Sequence, residues 1–262
     1  IGKESWLLLF VGITAYGAAR HFTGRGGAMW LLALGGGGMA LVRPHVAVLM
    51  FAAIFVAQLF RPSGGTATGV FRKLAGIGVM GIAALVLVQA SAQFLGIDDI
   101  NAQAVTETID FRSDLTEQGG SAFTPLPLTH PFGIPMAFIT WLFRPFPFEA
   151  GNIQMLVQSL EGLVMLALAV LGWRRLRRLP GLMRRNPYVL FAVVFVVIYI
   201  LAFAGFGNFG ILARQRVLML PFAFVLLSLP KPASTVLDNL PTRSGTARSL
   251  PGASQPLVMS HR

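Results

Sequence analysis

The 262-residue chain contains no cysteine. Disulfide scaffolds, thiolate-held zinc or iron–sulfur centres and cysteine nucleophiles are therefore excluded, and the redox compartment is left unread. Charge is scarce as well: Asp, Glu, Lys and Arg make up 12% of the chain against 55% hydrophobic residues, with a mean hydropathy of +0.69. That balance excludes a water-soluble globule of this size. Metal-ligand spacings, a phosphate loop, a dinucleotide fingerprint and a nucleophile elbow are all missing. The four histidines (His21, His45, His130 and His261) stand apart from one another. No metal and no cofactor is expected.

What is present is apolar residues gathered into long runs, which points to lipid as the solvent for most of the chain. The fold class is all-α, a multi-pass transmembrane helical bundle. Polar breaks divide the runs into spans at 5–19, 27–42, 44–60, 74–96, 152–173, 187–206 and 211–230, seven crossings in all. The first three fall short of the roughly 20 residues that about 30 Å of hydrocarbon demands. Arg43-Pro44-His45 interrupts the stretch 27–60, which reads either as a two-helix hairpin or as one long broken helix. Residues 1–96 thus hold four spans and 152–230 hold three. Between them, 97–151 form an external segment, acidic and helical over Ile97–Glu117, then proline-rich. Residues 131–148 are apolar but broken by Pro135, Pro145 and Pro147, so they are expected to lie in the outer interface. Residues 231–262, rich in Pro, Ser, Thr and Gly, are expected to be a disordered tail. The chain opens on Ile1 with neither a signal peptide nor a translation start, which points to the C-terminal part of a longer protein.

Orientation follows from basic residues in short loops. Arg174, Arg175, Arg177, Arg178, Arg184 and Arg185 fall between two good spans, so that loop is cytoplasmic. Carried through seven crossings, this puts 15 of the 21 basic residues, including the tail, on the cytoplasmic side. Only Lys3, Arg43, Arg112, Arg144, Arg214 and Arg216 remain outside, with eight of the ten acidic residues. Residue 1 is external and the C-terminus cytoplasmic. The net charge of +11 is therefore mainly an orientation signal, and no nucleic-acid partner is inferred.

The external remainder carries the candidate chemistry. Arg214 and Arg216 lie just inside the start of the last span, where an unpaired arginine costs on the order of 2 kcal/mol or more unless it snorkels or meets an anion. Positions i and i+2 diverge by about 200° on a helix, so one can snorkel while the other faces the bundle. Asn208 precedes them. Arg43 sits in a tight turn fixed by Pro44, beside His45, which reads as a packed histidine or a base. Arg144 either anchors an interfacial segment or binds an anion. Glu149 either pairs with Arg144 or serves as general base. Gln154, Gln158 and Glu161 form one polar stripe within the fifth span, an intramembrane feature that must face protein or water. The run Gly35–Gly38 favours close helix packing or a flexible break, with substrate contact as a further reading. Guanidinium forks suit phosphate or diphosphate, and apolar walls beneath them suit a lipid tail.

The stretches Ile1-Gly-Lys-Glu4, Val42-Arg-Pro-His45, Leu142-Phe-Arg-Pro-Phe-Pro-Phe-Glu149 and Asn208-Phe-Gly-Ile-Leu-Ala-Arg-Gln-Arg216 resemble those of bacterial polysaccharide-biosynthesis membrane proteins. The resemblance is to Wzy-type O-antigen or exopolysaccharide polymerases, and more distantly to GT-C glycosyltransferases. It covers most of residues 1–230 through short motifs. It implies a membrane glycan polymerase or glycosyltransferase acting on polyprenyl-diphosphate-linked glycan at the outer face of the bacterial inner membrane. Arg214 and Arg216 would engage the diphosphate, with Arg43, Arg144 and Asn208 assisting, and Glu149 or His45 would act as base. Two departures stand out: fewer spans than such polymerases have, and no Asp-Asp or Asp-Glu pair after a first helix as GT-C enzymes require. The rival readings are a transporter or flippase for a lipid-linked or anionic substrate, coupled through Glu161, Gln158 and Gln154, and a noncatalytic scaffold with envelope-assembly partner proteins. Membrane lipid is a partner under all three.

Overall fold

The computed structural model describes residues 2–62, 67–95 and 121–229. Among them the only strand-like feature is an isolated antiparallel bridge between Ala122 and Asn208. The helices are α1 (Gly2–Phe22), α2 (Ala28–Val42), α3 (Pro44–Leu59), α4 (Ala67–Leu95), α5 (Gly133–Phe143), α6 (Ile153–Leu171), α7 (Trp173–Leu176), α8 (Leu179–Arg185), α9 (Pro187–Ala202) and α10 (Phe209–Leu227), with a 3-10 turn at Pro147–Glu149. The acidic helix expected over Ile97–Glu117 and the tail expected over 231–262 lie outside the described residues.

Each expected span coincides with a helix, but the lengths differ. Ala67–Ser91 and Ile153–Leu171 are long and apolar enough to cross a bilayer. A third candidate is α10, if its arms Phe209–Arg216 and Leu220–Leu227, bent by 61°, form one broken span. By contrast α2, α3 and α9 have 15, 16 and 16 residues, about 22–24 Å at 1.5 Å per residue, against about 30 Å of hydrocarbon. The helices are those of a membrane protein. Phe71, Leu74, Ile82 and Leu85 on α4 and Val157, Leu160 and Val164 on α6 lie uncovered by protein, as befits lipid-facing surfaces.

Local chemistry sets the helix boundaries. Asn152, Asn186 and Asn208 are the N-caps of α6, α9 and α10: their side-chain oxygens accept from Met155 N at 2.8 Å, Tyr188 N at 2.9 Å and Gly210 N at 2.9 Å. Pro187 and Pro44 open α9 and α3, where a missing N–H costs nothing. Arg43, extended at φ −148° and ψ 88°, separates α2 from α3. The Phe51 ring lies 2.6 Å from where a Cβ on Gly36 would stand. A straight broken helix would put these residues about 22 Å apart, so the break is a hairpin. In α10 the break falls at 217–219, one turn before Pro221, which has no N–H for the carbonyl of Val217.

Close approach of α1 and α2 uses the glycine run. A Cβ on Gly35 would stand 2.8 Å from Thr14 N, and one on Gly38 would overlap the Phe10 ring, whereas Gly37 faces open space. The run is continuous helix, so it serves packing and is not a break. At the centre is α9, whose Phe191, Phe195 and Tyr199 continue into Phe203 at i, i+4 spacing, with centroids 6.5, 5.5 and 4.8 Å apart in turn. It packs against α1, α3, α5, α8 and α10. The ladder leads to the end of the bundle that carries the candidate residues.

Candidate functional site

Residues 131–148 are expected to lie in the interface, yet α5 is docked on the bundle. Pro135 falls in its first turn, where it is tolerated. Ala137, Thr140 and Trp141 are buried. Trp141 donates Nε1–H to the Phe203 carbonyl at 3.2 Å and meets the Tyr199 ring edge-on at 5.8 Å. An indole is held inside only where its N–H has a partner, so this bond fixes α5 on the end of α9.

The peptide leaving α5, Phe143–Arg144, is a hub. A Cβ on Gly162 of α6 would collide with the Phe143 carbonyl, so α6 runs against this backbone. From α10, Arg216 donates Nη2–H to the Arg144 carbonyl. Gly162 and Arg216 therefore meet adjacent carbonyls of this backbone, and Glu161, the residue before Gly162, acts on the Arg216 guanidinium through its charge. Among the described residues no ion pair within 4 Å joins them: the two salt bridges are Arg43–Glu4 at 3.3 Å and Arg144–Glu149 at 2.5 Å.

Arg216 is 0% exposed. Its Nε and Nη1 have no hydrogen-bond partner, and neither do the buried Glu161 Oε1 and Gln158 Oε1. Each such orphaned group costs about 1–3 kcal/mol, more when charged. Two donors on Arg216 and one acceptor each on Glu161 and Gln158 are thus left open.

The other arginines have different surroundings. Arg144 clamps Glu149 through Nε at 2.9 Å and Nη2 at 2.5 Å to Oε1. Its guanidinium also lies over the rings of Phe123 and Phe209, with centroids 4.7 and 5.1 Å away. Those rings stack at 4.3 Å. The second carboxylate oxygen of Glu149 accepts the Phe146 N–H at 2.8 Å. Burial pushes the Glu149 carboxyl up, but the hydrogen bonds from Arg144 and Phe146 and the guanidinium charge outweigh it, holding the group below the usual carboxylate value. Arg43 pairs with Glu4 and acts electrostatically on Tyr199, whose hydroxyl donates to the carbonyl and Oε1 of Gln215 at 3.1 and 3.2 Å. Arg214 is exposed and turns back to the Gly210 carbonyl at 3.2 Å.

Of the residues singled out by sequence, the structure brings Arg144, Glu149 and Arg216 to the hub, with Glu161 acting on Arg216 from α6 and Gln158 one turn before Glu161. Arg43 and His45 lie nearby on the α2–α3 turn, His45 edge-on to Phe203 at 5.8 Å. Arg214 points away, and Gln154 is exposed at the start of α6. Asn208 is engaged as a cap and also accepts from Ser121 Oγ at 3.0 Å. Beside the bridge, Phe123 N donates to Gly207 O and Phe209 N to Ser121 O. Gly162, Thr140, Trp141, Tyr199 and Gln215 were not singled out by sequence. Gly162 directly follows the polar stripe and was the legible signal. Trp141, Tyr199 and Gln215 show their role only through partners 16 to 62 residues away, and Thr140 faces Arg144 one turn on.

Away from the hub, an apolar groove of about 600 Å³ lies between α5, α6, α9 and α10. Leu142, Phe143, Met165, Ala169, Val196 and Ala223 line it. The hub residues precede or follow this lining in sequence: Arg144 follows Phe143, Glu161 is four residues before Met165, and Arg216 is seven before Ala223, on the other arm of the bent α10. No known protein family, curated protein or solved structure matches the chain.

Proposed function

We propose that the chain is a membrane glycan polymerase or glycosyltransferase of the Wzy type, acting on polyprenyl-diphosphate-linked sugars at the outer face of a bacterial inner membrane with seven crossings. The observation that carries this reading is Arg216, wholly buried yet with two guanidinium N–H groups unpartnered. A cation so placed is matched by an anion with two acceptor oxygens in one plane. The apolar groove further along the same helices suits the chain of an amphiphile, since apolar pockets of 300–1,000 Å³ are the ordinary size for such ligands. Arg216 is the diphosphate ligand, stabilising the charge that grows on the leaving group. Arg144 is the strut that positions it: it lends Arg216 its carbonyl and spends its own charge on Glu149.

Farnesyl diphosphate, a short polyprenyl diphosphate, tests this on the purified chain in detergent. Hydrogen bonds to charged groups contribute about 1.5–3 kcal/mol, so Arg216→Ala is expected to weaken binding about 10- to 100-fold. Arg214→Ala is expected to change it less than about threefold, as a surface charge does. Equal binding by wild type and Arg216→Ala rejects the reading.

A further inference from the structure

We infer that Glu161, not Glu149, takes the proton in the transfer reaction. The inference rests on the diphosphate reading above. A general base needs a carboxylate oxygen free to meet the hydroxyl it deprotonates. In Glu149 both oxygens are engaged, Oε1 by Arg144 and Oε2 by the Phe146 N–H. Glu161 has a buried Oε1 with no partner, and so does Gln158 one turn before it.

Position supports the same assignment. Glu161 is eight residues into α6 and Arg216 seven residues into α10, about 12 and 10 Å along their helices. Their helices meet at the Phe143–Arg144 peptide, α6 through Gly162, the residue after Glu161, and α10 through the bond from Arg216 to the Arg144 carbonyl. The base with its open oxygen and the anion ligand with its open N–H groups thus stand on two helices that meet at one peptide, close enough for the Glu161 charge to act on Arg216. That is what a displacement at a sugar carbon requires: an acceptor hydroxyl on one side and a departing diphosphate on the other.

The step balances without a further reactant. The acceptor hydroxyl oxygen forms a bond to the anomeric carbon of the donor sugar, and the bond from that carbon to the diphosphate oxygen breaks. The hydroxyl proton passes to Glu161 Oε1. The electron pair leaves on the polyprenyl diphosphate, whose charge Arg216 holds. Gln158 offers its carbonyl oxygen to a neighbouring sugar hydroxyl.

The test uses the full chain in two assays: farnesyl diphosphate binding by purified protein, and polymer length in source cells whose own copy is replaced. Glu161→Gln is expected to bind within about threefold of wild type while long polymer falls about a hundredfold or more, the span general bases supply. The lipid-linked single unit accumulates on the outer face. Glu161→Asp, which keeps a carboxylate, is expected to restore part of the polymer and serves if the glutamine variant fails to accumulate. Undiminished polymer in both variants overturns the inference. So does loss of farnesyl diphosphate binding in Glu161→Gln as deep as in Arg216→Ala, which would make Glu161 a binding group, and so does a single unit held on the cytoplasmic side, which would make it a transport group. Failure of the underlying reading looks different: there Arg216→Ala itself leaves binding intact.

Discussion

Arg216 donates to the backbone carbonyl of Arg144, 72 residues earlier in the chain. Through this bond the start of α10 is tied to the peptide against which α6 runs at Gly162. Two arginines of like charge are thereby kept in one place without facing each other, because one of them presents its carbonyl and directs its guanidinium to Glu149.

The lack of cysteine makes topology directly testable. An impermeant maleimide is expected to label Thr129→Cys in intact spheroplasts, since residue 129 is exposed on the segment read as external. Arg178→Cys is expected to react only after permeabilisation. Labelling of Arg178→Cys from outside would invert every assignment of side.

The glycine run separates packing from flexibility. Gly35→Ala sets a methyl group against Thr14 and is expected to lower stability by about 1–3 kcal/mol, the ordinary cost of overpacking. Gly37→Ala enters open space and is expected to raise stability by up to about 1 kcal/mol through helix propensity. Thermal unfolding in detergent, followed by tryptophan fluorescence, reads both. Equal effects at the two positions would contradict the packing assigned to α1 and α2.

Asn208 is a helix cap first. Asn208→Ala is expected to cost about 1 kcal/mol, and Asn208→Asp, which keeps an acceptor oxygen, much less. If both variants unfold alike but lose farnesyl diphosphate binding, Asn208 is a ligand-binding group instead.

Glu149 predicts a pH dependence of stability. Its folded-state value lies below the unfolded value of about 4.3, so the stability it contributes is complete above that pH and is lost as pH falls through the lower, folded value. Wild type should therefore melt above Glu149→Gln at pH 7, and the gap should close on acidification below about pH 4. A gap independent of pH would show that the Arg144–Glu149 pair acts through shape alone.

Much of the fold was legible because apolar runs and their breaks are local. The break at Arg43-Pro44 could be read from proline chemistry, though not whether it turned a hairpin or bent one helix, and the divergence of Arg214 and Arg216 could be read from helix geometry alone. Which of the two arginines faced inward could not be read, because the period gives an angle between side chains and not the direction of the bundle. The bend before Pro221 was missed although its cause is a single residue, since an apolar run of 20 residues from 211 to 230 reads as straight whether or not a proline lies inside it.

By itself, the sequence determined that the described chain is helical, that lipid suits its exposed faces, and roughly where most of its long helices lie, since these follow from hydropathy, caps and proline; the start of α4 at Ala67 and the docked helix α5 were not read. Tertiary structure decided what each polar residue does. Glu149 became the partner of Arg144, Glu161 kept an open oxygen, and Arg216 went into the core. The reason is physical: the role of a charged group is set by which donors, acceptors and charges lie within a few ångströms, and here those come from helices that meet only when the chain is folded.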